Sequence, residues 1–191
     1  MNATGFGAGL AGLTCAGALS HPPAGVVTLT ASSGWGSALP ARCGRGVSAQ
    51  TSFGSFIATV VECEVDKSGE VKLRRVTTAV DTGIAVNPDT IMAQLQGGHI
   101  FGLTAALYGE ITLAKGRVQQ SNFHDYRMLR IDQTPPIDIH LIKSDAAPGG
   151  IGEAGTVAAV PALRNAIYAA TGVALRRMPI DRKLLAGSKR T

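Results

Sequence analysis

Between residues 147 and 155 the chain reads Ala-Pro-Gly-Gly-Ile-Gly-Glu-Ala-Gly, four glycines and a proline around one carboxylate, Glu153. Glycine accepts backbone angles closed to other residues and lets another group come close. Proline fixes the entry to the loop. An apolar run follows at once. It predicts a helix from about Gly155 or Thr156 through Val157, Val160, Leu163, Ile167 and Tyr168. Glu153 then stands just before a helix N-terminus, where the dipole favours the ionised carboxylate. On the pattern alone, a capped turn is the commoner meaning of such a loop. As a site, it would offer a single carboxylate for general acid–base work. Gly149, Gly150 and Gly152 would leave room for a bulky cofactor and a substrate.

Other residues with chemical potential fit structural roles better. Asp81 stands at the end of a strand-like run and suits a turn cap. His99 falls on the apolar face of a helix and reads as a packed core histidine. His124 and Asp125 are chain neighbours, which rarely face the same site. Cys15, Cys43 and Cys63 are far apart and form no CxxC pair, so neither a zinc site nor an iron–sulfur cluster is expected. No protein ligand to a metal is expected from this chain, and no Walker or Ser-His-Asp pattern occurs.

The elements that must position Glu153 can be read in order. Residues 1–32 are dominated by Gly, Ala, Ser and Thr, and form a poorly defined segment with room for a short helix near Leu10–Leu19. Residues 33–191 form the domain proper. Ser55 to Asp66 is rich in β-formers and predicts a strand; Lys67-Ser68-Gly69-Glu70 is a turn, and Val71 to Val80 returns as the second strand of a hairpin. Asn87 suits an N-cap, with Pro88 at the first helical position. The helix 89–107 places Ile91, Met92, Leu95, His99, Ile100, Leu103 and Leu107 on one face. Gly97, Gly98 and Gly102 inside it each cost about 1 kcal/mol against Ala, which predicts close packing on another backbone. Tyr108 to Leu113 and Val118 to Ser121 predict two strands around a turn at Ala114–Arg117. Ile137 to Ile142 predicts a strand with one wet face.

At 191 residues, 45% hydrophobic and 16% charged, the chain has the composition of one foldable domain. The formal net charge is +5, with Arg176, Arg177, Arg182, Lys183, Lys189 and Arg190 late in the chain. No aromatic–basic interleaving accompanies them, so a solvated tail or a partner-subunit face is expected rather than nucleic-acid binding. Residues 5–19 are too short and glycine-rich for a membrane span. No Lys or Arg precedes Arg42, so a signal peptide is not expected, and the compartment stays open.

Several stretches carry a family resemblance. Gly149-Gly150-Ile151-Gly152-Glu153, Pro161 through Gly172, and Arg176-Arg177-Met178-Pro179-Ile180 resemble the C-terminal end of the molybdenum-binding subunit of the xanthine dehydrogenase and aldehyde oxidase family. Val80-Asp81-Thr82-Gly83 through Asn87-Pro88, Gln94-Leu95-Gln96-Gly97-Gly98, and Asn122-Phe123-His124-Asp125-Tyr126 are similar to its second molybdenum-binding domain. Gly34 through Ala41 and Gly44-Arg45-Gly46-Val47 resemble the branch of isoquinoline 1-oxidoreductase beta subunits. The resemblance covers about residues 33–185. It implies an α+β fragment of the second molybdenum-cofactor-binding domain, with mixed strands and two main helices. It also implies a molybdenum–pterin cofactor, Glu153 as the active-site base, and oxidative hydroxylation of an aldehyde or N-heterocycle with water as oxygen source. The partners implied are the upstream part of the molybdenum subunit, a separate 2Fe-2S subunit and a small-molecule substrate. Most pterin-holding and substrate-selecting loops lie upstream in the family. The alternative expectation is therefore a non-catalytic remnant or split-subunit piece that binds no cofactor alone.

Overall fold

The computed structural model describes Leu29 and residues 32–188. Strands β1 (Cys43–Ser52), β2 (Ser55–Val65) and β3 (Val71–Asp81) form an antiparallel meander. Helix α1 (Pro88–Tyr108) follows, then a short hairpin of β4 (Leu113–Ala114) and β5 (Arg117–Val118). Strand β6 (Ile137–Leu141) then adds to β3 in parallel, so the main sheet runs β1-β2-β3-β6. Helix α2 (Ala154–Thr171) and a short α3 (Arg182–Leu185) complete the fold. This is the α+β arrangement expected, with two main helices. No helix among the described residues is long and apolar enough to cross a membrane.

The expected hairpin is present, because β2 and β3 alternate in the way a half-covered sheet requires. Val61, Cys63, Val65, Leu73 and Val76 pack towards the helices, against Leu103, Leu107, Leu163 and Ile167. On the opposite face Ala58, Val60 and Ala79 meet Leu29 and Trp35. Further along that face the side chains are charged: Arg45 pairs with Glu62 at 2.8 Å, Arg74 with Glu64 at 2.8 Å, and Arg75 with Asp138 at 2.7 Å. The turn after β2 is tied by Asp66, whose carboxylate accepts from the backbone N–H groups of Ser68 and Glu70, both at 2.8 Å. Asn87 caps α1 by accepting from the Thr90 N–H at 3.1 Å, with Pro88 in the first turn.

Several elements differ from expectation. Strand β1 has no clear strand signal, because Gly44 and Gly46 are poor β-formers. Packing explains them: a Cβ at Gly44 would lie 2.2 Å from the Ala166 carbonyl oxygen, and one at Gly46 would lie 2.1 Å from the Ala166 nitrogen. Strand β1 thus lies directly on the backbone of α2. Tyr108 ends α1 instead of opening a strand, and β4 and β5 are two residues each; the turn between them is placed as expected, with Lys115 and Gly116 both at positive φ. Strand β6 is half-buried at every position, with Asp138 on the charged face of the sheet. In α2, Val157 and Tyr168 point outward, while Ala154, Ala158, Ala162, Ala166 and Ala170 form the buried face. Close approach to β1 leaves room only for small side chains there. The expected helix near Leu10–Leu19, and the segment 1–32 apart from Leu29 and Ser32, lie outside the described residues.

His99 is fully buried between α1 and the sheet, as a core histidine should be. Its Nδ1 lies 2.6 Å from the Leu95 carbonyl oxygen, which only accepts, so Nδ1 carries the proton. Its Nε2 is then an acceptor, 2.8 Å from the Thr78 hydroxyl and 3.3 Å from that of Thr59. The two hydroxyls are 3.0 Å apart, so every member of this buried cluster has a partner. Burial pushes the His99 pKa down, opposed by the Leu95 hydrogen bond.

Two predictions follow from this packing. Gly46→Ala should destabilise the chain by about 3 kcal/mol or more, since the obstructing atoms are helix backbone and cannot move aside; a urea midpoint close to wild type would contradict the packing. Below the ordinary histidine pKa of 6.5, the unfolded chain binds a proton that the folded chain refuses. Stability from His99 is therefore complete above that pH and declines as pH falls towards the lowered folded pKa. Urea midpoints measured from pH 8 to pH 5 should fall less steeply in His99→Gln than in wild type.

Candidate functional site

Helix α2 begins at Ala154, and Glu153 is its N-cap residue. The Glu153 backbone carbonyl accepts from Thr156 N–H at 3.0 Å and Val157 N–H at 3.3 Å, which fixes the residue's main chain at the head of the helix. Its side chain makes no capping hydrogen bond. It is exposed, and no ion partner for it occurs among the described residues. The helix dipole supplies a positive end beside a free carboxylate.

The loop before it is held at several points. Gly149 N–H donates to the Thr82 carbonyl and Gly150 N–H to the Phe53 carbonyl, both at 2.8 Å. The loop thus rests on the end of β3 and on the β1–β2 turn. At that turn Phe53 and Gly54 both have positive φ, 50° and 78°, and the Phe53 ring stays 70% exposed. From α1, the Gln94 side-chain amide donates to the Gly152 carbonyl at 2.6 Å, one residue before Glu153. From β1, the Gln50 amide reaches the Ala154 carbonyl at 3.4 Å, one residue after it.

The three glycines of the loop stand in different surroundings. A Cβ at Gly149 would lie 2.5 Å from the Ser55 hydroxyl, and one at Gly150 would lie 2.8 Å from the Phe53 Cβ. Both positions are filled by the β1–β2 turn. A Cβ at Gly152 would meet nothing within 4 Å, so free space borders the loop next to Glu153.

The remaining candidates sit apart. The Asp81 carboxylate accepts from Gly83 N–H at 2.8 Å, the turn cap expected of it. Asp125 and His124 lie 3.6 Å apart on the surface. Asp125 chiefly gathers the backbone N–H groups of Ser121 and Asn122, and these hydrogen bonds hold its pKa below the usual carboxylate range. Arg182, from the basic tail, pairs with Glu70. Cys63 is fully buried, and burial pushes its thiol pKa up, which leaves it unreactive. The roles of Gln94, Gln50 and Phe53 in holding the Glu153 loop had no signal in the sequence. Each acts on a segment that is distant along the chain.

A bulky group can approach the Glu153 loop from the open side at Gly152. Glu153, exposed beside that opening, would fit one wall of a molybdenum–pterin site. The described residues alone do not enclose such a group.

Comparison with known proteins agrees with this architecture. The family described as "Molybdopterin cofactor-binding domain" matches residues 17–135, which ends before the Glu153 loop. "Isoquinoline 1-oxidoreductase subunit beta" of Brevundimonas diminuta is 41% identical over 138 residues, covering 72% of this chain and 18% of that protein. "Membrane-bound aldehyde dehydrogenase [pyrroloquinoline-quinone]" of Gluconacetobacter polyoxogenes is 39% identical over 122 residues, covering 63% of this chain and 16% of that protein. The crystal structure of quinoline 2-oxidoreductase from Pseudomonas putida 86 superposes with a TM-score of 0.63 over 68% of this chain and 18% of that one, at 20% identity, which shows a shared fold. The chain thus spans less than a fifth of the length of the relatives it matches. It belongs to the molybdopterin cofactor-binding domain family, as a fragment of a molybdenum-binding subunit of the xanthine dehydrogenase and aldehyde oxidase type.

Proposed function

We propose that this chain supplies the catalytic base of a molybdenum hydroxylase that oxidises an aldehyde or an N-heterocycle with water as the oxygen source. The observation that carries the reading is the placement of Glu153. It is an unpaired carboxylate at a helix head, on a loop pinned by Gln94, Phe53 and Thr82, and free space borders it at Gly152. The Gly-Ile-Gly-Glu spacing and the names of the relatives support it.

In the net reaction a carbon-bound hydrogen is replaced by hydroxyl from water, and two electrons and two protons leave. The molybdenum–pterin group, when bound, supplies the two-electron acceptor. Glu153 accepts the proton from the water-derived oxygen as that oxygen attacks the electron-poor carbon. Its pinned main chain, at the N-terminal turn of α2, fixes the point from which the carboxylate reaches out. The electrons pass on to a separate 2Fe-2S subunit, and the upstream part of the molybdenum subunit supplies the remaining walls.

A second reading rests on length. A chain spanning 18% of its relative can fold and still hold no cofactor, as a remnant or one piece of a split subunit. Molybdenum analysis of the purified chain, alone and together with the rest of a molybdenum subunit, separates the two. The hydroxylase reading expects metal in the combined sample. It expects Glu153→Gln to lower turnover by at least about a hundredfold while the metal stays bound. No metal in either sample leaves the remnant reading standing.

A further inference from the structure

Four arginines among the described residues are half-buried: Arg42, Arg45, Arg164 and Arg182. A charge drawn out of water needs an opposite charge or a full set of hydrogen bonds. Arg45 pairs with Glu62, and Arg182 with Glu70. Arg42 gives all three side-chain nitrogens to backbone carbonyls, those of Val65, Asp66, Leu185 and Ser188. Arg164 has neither kind of compensation. Among the described residues it makes one hydrogen bond, from Nη2 to the Leu175 carbonyl, and it has no acidic partner. Its Nε is buried and has no partner.

The local fold explains how this cation is held. Arg164 and Tyr168 stand four residues apart in α2, which makes them neighbours on one helix face. Gly172 ends the helix at a φ of 77°, in the left-handed region, and the chain turns so that Leu175 comes beside Arg164. Between the helix and this return lies a cavity of about 310 Å³, lined by Arg164, Asn165, Tyr168, Ala174, Leu175 and Arg176. The lining holds two guanidinium groups and a phenol, and no carboxylate among the described residues. Arg176 is exposed and likewise has no acidic partner among them. Tyr168 is 56% exposed. The Asn165 amide is already engaged by the Val47 carbonyl. Arg164 follows Glu153 by eleven residues, about 16 Å along the helix axis, so the cavity is separate from the Glu153 loop.

We propose that this cavity binds a phosphate group, free or carried by a small ester, with Arg164 and Arg176 as the binding cations and Tyr168 as a further donor. A guanidinium presents N–H donors in a planar fork whose spacing matches phosphate oxygens. Two such groups balance a doubly charged anion, whereas a carboxylate would balance one of them. The Leu175 carbonyl orients Arg164 but leaves its charge in place, and a bound oxyanion would supply the missing counter-charge. Neither Glu153 nor molybdenum takes part, so the site stands or falls apart from the hydroxylase reading.

Calorimetric titration of the intact chain with sodium phosphate, phenyl phosphate and sodium acetate, at ionic strength held constant with chloride, tests the site. Saturable phosphate binding is expected. Arg176→Gln is an exposed substitution that should leave the urea midpoint near wild type and weaken phosphate binding at least about tenfold. Arg164→Lys keeps the charge but loses the fork, and should weaken binding as well. Arg177→Gln, next along the chain but outside this cavity, should leave binding unchanged. Phenyl phosphate binding more tightly than inorganic phosphate assigns the site to an ester, and equal or weaker binding assigns it to the free anion. Acetate binding as tightly as phosphate would overturn the ligand class and make the cavity a seat for a carboxylate. An equal loss in Arg177→Gln and Arg176→Gln would reduce the effect to net charge and overturn the site. So would phosphate binding that neither Arg164→Lys nor Arg176→Gln weakens, or no saturable binding at all.

Discussion

The fold depends on backbone-to-backbone contact around helix α2. Where a Cβ would stand at Gly44 and Gly46, the main chain of α2 stands instead; at Gly102 the Thr156 main chain does so, and at Gly98 it comes within 3.2 Å. These contacts fix α2 against β1 on one side and α1 on the other. The alanine face of the helix follows from that closeness, because larger side chains would separate the layers. Direct hydrogen bonds reinforce it: Ser48 donates to the Ala158 carbonyl at 2.6 Å, and Asn165 to the Val47 carbonyl at 2.9 Å. A helix held this tightly cannot slide or roll, so the position of its first residue is set by the core. Glu153 inherits that position.

The buried His99 cluster serves the same junction from below. Its ring nitrogen lies where a side chain on Gly155 would need to be, 2.8 Å from the ideal Cβ. The histidine thus fills the space beneath the head of α2 and links it to β2 and β3 through Thr59 and Thr78. A neutral ring with both nitrogens satisfied suits an apolar core, whereas a protonated one would place a charge there, which burial disfavours. The loop carrying the carboxylate therefore rests on a polar cluster that favours the neutral ring.

Much of this was legible in the sequence, and the failures have a common cause. Strands β2 and β3 announce themselves by β-branched residues, the turn between them by Asp66 and Gly69, and α1 by the Asn-Pro start. All are local signals. Strand β1 is written in glycine, serine and glutamine because its requirements come from a helix more than a hundred residues later. The same long-range contact shifts the buried face of α2 towards its alanines: Leu163 and Ile167 are core as expected, while Val157 and Tyr168 are surface. The glycines of the Glu153 loop look alike in sequence. Gly149 and Gly150 are needed by the β1–β2 turn, while Gly152 alone borders open space.

That distinction bears on what the loop can do. A glycine-rich segment beside an acid invites the reading that every glycine clears space for a ligand. Here two of the three are consumed in seating the loop on Phe53 and Ser55, and this seating is what makes the third useful. The base proposed here needs a fixed main chain and one open direction, not general openness. Gln94 closes one side by holding the Gly152 carbonyl, the β1–β2 turn closes another, and the helix supplies the floor. The direction left open runs past Gly152, where an added Cβ would meet nothing within 4 Å.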